Sequence, residues 1–183
     1  MGKPAPPPPA MLFVGVLFSD GAFLLKAKNA LSDLSGEIML ETPEIKWDYS
    51  DYYKNEMGRP IYRKFLFFKD LIQPERLVGV KLETNRIEEA ISEEGKRRVN
   101  LDPGYLTPAK VVLASTKDYS HRIYMGRGIY AEVTLTYSNG MFIPHINTYP
   151  DYRDGAYFDI FKEARNMLKA LLIGGKNIDK RLQ

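Results

Sequence analysis

Apolar positions along this chain change their spacing several times, and each change predicts an element. Residues 11–18 (MLFVGVLF) form an unbroken apolar run, which predicts a strand covered on both faces. Phe23, Ala27, Ala30, Leu31 and Leu34 then recur at helical spacing, with Ser19 and Asp20 as caps and Gly36 as the stop. Over 37–47, Ile38, Leu40, Ile45 and Trp47 alternate loosely. Pro43 makes this an edge strand, because it has no N–H for a ladder. Residues 48–59 are polar and tyrosine-rich and end in Met57-Gly58-Arg59-Pro60, a loop or short helix. Residues 61–69 read as a strand on their aromatic content.

Pro74 suits a helix start, and Leu77, Val80, Thr84, Ile87 and Ile91 step by three and four to about residue 94. Lys81, Asn85 and Glu88 make a polar row beside that apolar one. Asp102-Pro103-Gly104 has the composition of a type II turn. Residues 111–114 predict a short buried strand, and 121–125 with 129–137 a hairpin across Gly126-Arg127-Gly128. A further short strand follows Ser138-Asn139-Gly140. Tyr157, Phe161, Ala164, Met167, Leu168 and Leu171 share one helical face, ended by Gly174 and Gly175. Residues 4–9 form a polyproline lead, either an arm laid on the domain or a loose tail. Its direct entry into a strand favours partial order.

This order predicts an α+β fold: a mostly antiparallel sheet with helices packed on one face, and a ferredoxin-like core with an added β-hairpin as its candidate topology. At 183 residues the chain fits one domain (1–183), with a lead at 1–10, a body at 11–175 and a short tail at 176–183. The absence of cysteine removes disulfide frameworks, cysteine-ligated metal and thiol catalysis. No apolar run approaches the roughly 18–20 residues of a membrane helix, and no basic-then-apolar leader opens the chain, so the cytoplasm is the default expectation. The 26 basic and 23 acidic residues are evenly spread, which argues against a duplex-DNA partner.

Several long motifs resemble one known family. They are Lys3-Pro4 leading to Phe13-Val14-Gly15, Asp51-Tyr52-Tyr53 with Glu56-Met57-Gly58, and Lys81-Leu82 with Thr84-Asn85. To these add 100–104 (NLDPG), 121–124 (HRIY), 129–132 (IYAE) and 149–153 (YPDYR). Together they resemble the domain of unknown function 4416 family over nearly the whole chain. The resemblance implies a prokaryotic single-domain protein with no assigned activity. A P-loop is not among its features: the nearest stretch, Gly174-Gly175-Lys176-Asn177, has Ala170 at the first glycine position and Asn177 in place of the hydroxyl, and it follows a helix.

Candidate chemistry centres on the hairpin. With Gly126-Arg127 as a two-residue loop, Met125 pairs with Gly128, Ile123 with Tyr130 and His121 with Glu132. An imidazole beside a carboxylate is a candidate acid–base pair, although a solvent-facing cross-strand pair has the same pattern. Arg122 and Tyr124 fall on the opposite face with Ala131, Val133 and Leu135, where an arginine must find a carboxylate, a carbonyl or an anionic ligand. Asp102 is a third candidate catalytic group, though turn chemistry alone also accounts for it. Lys81, Asn85, Asn100, Arg122, Tyr124, Tyr149, Asp151 and Arg153 are the candidate ligand-binding residues.

Two histidines without ligand spacing support metal only weakly, and an oxygen-ligated magnesium site of Asp102, Glu132 and Asp151 stays open. The residues name no cofactor and fix no oligomeric state. The expectation drawn from them is a small enzyme or ligand-binding protein for an anionic, phosphorylated small molecule, with His121 and Glu132 as the acid–base pair. The alternative is a non-catalytic RNA- or protein-binding module. It is motivated by Tyr62-Arg63-Lys64-Phe65, Arg97-Arg98 and the proline lead.

Overall fold

A computed structural model describes residues 2–179, with side chains to Gly174. Among these, nine strands join in one antiparallel sheet. They are β1 (Ala10–Phe18), β2 (Ile38–Glu41), β3 (Ile45–Trp47), β4 (Ile61–Ile72), β5 (Val99–Leu106), β6 (Lys110–Ser115), β7 (Ile123–Gly126), β8 (Ile129–Ser138) and β9 (Met141–Pro144). Across the sheet the order is β2-β4-β1-β5-β6-β8-β7, with β3 also on β4 and β9 also on β8. The helices are α1 (Gly21–Ser35), α2 (Lys54–Met57), α3 (Leu77–Ile91), α4 (Pro150–Arg153) and α5 (Phe158–Asp179). A 3₁₀ turn at Pro74–Arg76 leads into α3. The proline lead, residues 2–8, is exposed.

Helices cover both faces of this sheet, which corrects the expectation of one. Strand alternation sends Leu12, Val14, Val16 and Phe18 of β1 to one side, where they pack on Leu24, Ala27 and Leu31 of α1 and Val80 and Ile91 of α3. Met11 and Phe13 face the other side and meet Phe161, Ala164 and Leu168 of α5. The unbroken run at 11–18 follows from burial on both sides. Asp20 caps α1, its side chain accepting from the Ala22 N–H at 2.7 Å. The helix ends at Gly36, whose φ of 85° suits glycine. Pro43 falls in the break between β2 and β3.

Three local expectations are corrected. Asp102-Pro103-Gly104 is no turn but the middle of β5. A Cβ at Gly104 would come within 2.5 Å of both the Phe13 ring and the Val112 carbonyl oxygen, so glycine is there for packing rather than for a bend. In the β7–β8 hairpin, Gly126 pairs with Ile129 and a bulge follows, so Ile123 opposes Ala131 rather than Tyr130. A further irregularity in the pairing of β6 with β8 separates Ala131 from Leu135. Ala131 packs beside Leu77, Leu135 lies under α5, and Val133 is 37% exposed. Finally, α5 does not stop at Gly174 but runs on to Asp179. The last part of the expected tail, residues 180–183, lies outside the described residues.

One irregularity positions the site. β5 pairs with β1 along its whole length but with β6 only from Gly104 to Leu106. By antiparallel alternation Pro103 turns its nitrogen toward β6, where a ladder bond would need an N–H. The ladder ends there, and the two strands part.

Candidate functional site

A cavity of about 680 Å³ occupies the gap where β5 and β6 part. Its walls come from distant segments: Leu17, Arg63, Asn100 and Asp102 on the sheet, Lys81, Asn85 and Glu88 on α3, and residues 113–117 at the end of β6. Trp47, Tyr49, Tyr52, Tyr53 and Tyr149 supply aromatic surface, and Pro150, Asp151 and Tyr152 come from α4. That volume lies within the ordinary range for small-molecule pockets.

α3 takes over the backbone of β5 where β6 leaves it. Lys81 Nζ donates to the Leu101 carbonyl at 2.9 Å, and the Leu101 N–H donates to Glu88 Oε1 at 2.6 Å. Two side chains two helical turns apart on α3 thus replace a missing strand, which keeps the buried peptide satisfied. Burial drives the Glu88 carboxyl upward, to about 7, despite Lys81, the Leu101 amide and Arg97 working the other way.

An arginine between two aspartates forms the floor. Arg63 Nη1 donates to Asp102 Oδ2 at 2.9 Å, and Nη2 to Asp151 Oδ2 at 3.2 Å. Asp151 Oδ2 also receives Trp47 Nε1 at 3.1 Å and the Tyr157 hydroxyl at 3.3 Å. Arg63 is only 3% exposed. Burial opposes its charge, but Asp102 and Asp151 outweigh that and hold it ionised. Burial likewise pushes the Asp102 carboxyl up, and Arg63 and then Lys81 overcome it, leaving its pKa below the usual value. The Asn100 amide adds to this from nearby while falling short of hydrogen-bond geometry. Gly15 makes room for the guanidinium: a Cβ there would sit 2.8 Å from Arg63 Nη1.

Lys81, Asn85, Asn100, Asp102, Tyr149 and Asp151 of the expected site residues therefore line one cavity. The hairpin residues stand apart from it. His121 precedes β7 rather than lying in it, and its Nε2 is 3.1 Å from Glu132 Oε2. The same oxygen accepts Arg122 Nε at 2.8 Å, and Thr134 donates to the other at 3.3 Å. Arg122 also reaches the Ser115 hydroxyl at 2.7 Å, the Lys117 carbonyl at 3.0 Å and the Tyr149 hydroxyl at 2.7 Å. It braces the cavity wall from behind. Tyr124 does not share the core face: it is 60% exposed, because the bulge turns it outward. Arg153 is exposed, with one long bond of 3.4 Å to the Ile146 carbonyl.

Arg63 and Glu88 also line the cavity, though the sequence did not mark them as site residues. Glu88 did stand in the polar row with Lys81 and Asn85, and that row was its signal. Arg63 lay in a stretch read for stacking, yet Phe65 is core, Lys64 is tied to Glu41, and Arg97 is tied to Glu56. Among the described residues, no group of three or more His, Asp or Glu is arranged to hold a metal. No helix there is long and apolar enough to cross a membrane.

Fold and cavity define an α+β protein with a pocket of charged and aromatic side chains at a parting of two sheet strands. The chain belongs to the family described as a domain of unknown function (DUF4416), whose model matches residues 8–168. No curated protein and no solved structure matches the chain.

Proposed function

We propose that this chain is a small enzyme or ligand-dependent protein that acts on an anionic, phosphorylated small molecule held in this cavity. One observation carries the reading. Asn100 Nδ2, Arg63 Nε and the Tyr152 hydroxyl are buried in residues of the cavity wall and have no protein partner. All three can donate, and Lys81 Nζ has hydrogens to spare beyond its bond to Leu101. Unpaired donors call for a ligand rich in acceptors, which phosphate and carboxylate groups are. Tyr149 and the tyrosines of residues 49–53 offer aromatic surface to the rest of such a molecule. His121 and Glu132, the expected acid–base pair, stand outside the cavity wall and join it only through Arg122 and Tyr149, so no acid–base step is assigned to them. In the same proposal, the β1-α1-β2-β4-α3-β5 unit is a ferredoxin-like core carrying the β7–β8 hairpin.

Thermal-shift measurements against nucleotides and sugar phosphates test the reading. A true ligand raises the melting temperature of the wild type and of Arg86→Ala, whose side chain lies on the exposed face of α3. Asn100→Ala, which removes an unpaired donor, loses that gain. Equal shifts in all three proteins would sink the proposal. A second reading, a protein-binding module, has the exposed proline lead on its side, since polyproline segments dock into aromatic grooves.

A further inference from the structure

We propose that Glu88, with Lys81 and Asn100, forms an oxyanion-holding subsite that takes up one proton as the anion enters, the proton residing on Glu88 Oε2. This rests on the anionic-ligand reading above and adds to it how the charge is accommodated.

Geometry leaves that oxygen free. Oε1 is committed to the Leu101 N–H at 2.6 Å, while Oε2 meets only Arg97 Nη1, at 3.8 Å, beyond hydrogen-bond reach. Lys81 Nζ spends one of its three hydrogens on the Leu101 carbonyl at 2.9 Å. Asn100 Oδ1 receives Arg97 Nη1 at 3.4 Å, which leaves its Nδ2 unpaired. All three side chains thus gather around the 100–101 segment of β5 and line the same cavity.

The charges around Glu88 explain why a proton is needed. Lys81 faces it from its own helix, Asp102 from β5, Tyr53 from the start of α2 and Arg97 from the segment before β5. Arg97 is already spent on Glu56, with bonds of 2.5 and 3.1 Å. An anion entering here would meet an ionised Glu88 and an ionised Asp102. Protonation removes one of those charges and converts an acceptor into a donor aimed at the ligand. With its pKa raised by burial to about 7, Glu88 makes that exchange near neutral pH.

Sulfate is the probe, because its own charge stays constant between pH 6 and pH 8. Isothermal titration of the wild type should show binding about tenfold tighter at pH 6 than at pH 8, as linkage to one group titrating near 7 requires. Buffers of different ionisation enthalpy should show uptake of a proton at pH 8. Glu88→Gln should bind with the low-pH affinity at both. Carboxyl NMR of the wild type provides a readout independent of the variant: the Glu88 titration should move upward when sulfate is added. Equal affinity at both pH values, or a pH dependence that survives in Glu88→Gln, overturns this inference and leaves the pocket reading standing. Sulfate that binds at neither pH, with no movement of the Glu88 titration, overturns both.

Discussion

At the scale of single residues, the site consists of buried charges whose partners are only just sufficient. Glu88 ionises near 4.5 in a free chain and near 7 in the fold, so between those values the native state holds the extra proton. Stability is therefore full below about 4.5, falls as pH rises, and the loss is complete above about 7. The shift corresponds to a penalty on the order of 3 kcal/mol at pH 8. Glu88→Gln keeps an oxygen for the Leu101 N–H and removes the charge. It should melt higher than the wild type at pH 8 and the same at pH 4. A variant less stable than the wild type at pH 8 would show that the ionised carboxylate is an asset. Gly15 is a steric counterpart. Its neighbour Arg63 is pinned by Asp102 and Asp151 and cannot swing away freely, so Gly15→Ala forces a shift of the guanidinium. The expected cost is about 1–3 kcal/mol, the range for overpacked interiors, read by chemical denaturation with the m-value unchanged.

At the scale of elements, β8 and the loops behind it are joined through one arginine. Arg122 links Glu132 of β8, Ser115 at the end of β6, and Tyr149 ahead of α4. Arg122→Ala leaves a carboxylate that is 4% exposed with only His121 and Thr134 for company. Breaking a buried ion pair on one side costs about 3–5 kcal/mol. Arg122→Lys should recover little of it, since a single ammonium cannot reach all these acceptors. A lysine variant as stable as the wild type would mean the network contributes geometry without energy. The elements themselves were mostly legible in the sequence, because hydrophobic spacing is local: β1, α1, β4, α3 and α5 stand where Leu, Val and Phe recur. Asp102-Pro103-Gly104 has the composition of a turn yet lies within β5, for a physical reason. Proline and glycine break a ladder as readily as they make a turn, and only the neighbouring strand decides which. Here proline ends the pairing with β6, while glycine lies under Phe13. The His121–Glu132 proximity was visible in the chain and survived a register different from the one inferred, because His121 lies ahead of β7 rather than on it. The Asp102–Arg63–Asp151 centre was not legible, since three segments far apart in sequence meet there and nothing local marks them as neighbours.

At the scale of the whole molecule, the cavity gathers its wall from both layers around the sheet. α3 belongs to one face, while Arg63, Asp102 and α4 sit on the other, and the parting of β5 from β6 is what lets them meet. A ligand bound there should accordingly tie the two layers together. At a hundred times its Kd, a ligand adds about 2.7 kcal/mol to stability by mass action. Hydrogen exchange should then slow at residues 97–102, along the second half of α3 and at 149–152, with little change at the outer hairpin. That hairpin is the natural contrast, because β7 is the far edge of the sheet and exposes Ile123, Tyr124 and Met125. An edge strand with apolar side chains, paired on one side only, is where a protein partner would add itself. Protection confined to β7 and the proline lead, with the cavity segments unchanged, would mean that recognition is macromolecular and that the pocket is a structural consequence of Pro103. Protection centred on Asn100 and Glu88 would place recognition in the pocket, because both residues are nearly buried in its wall.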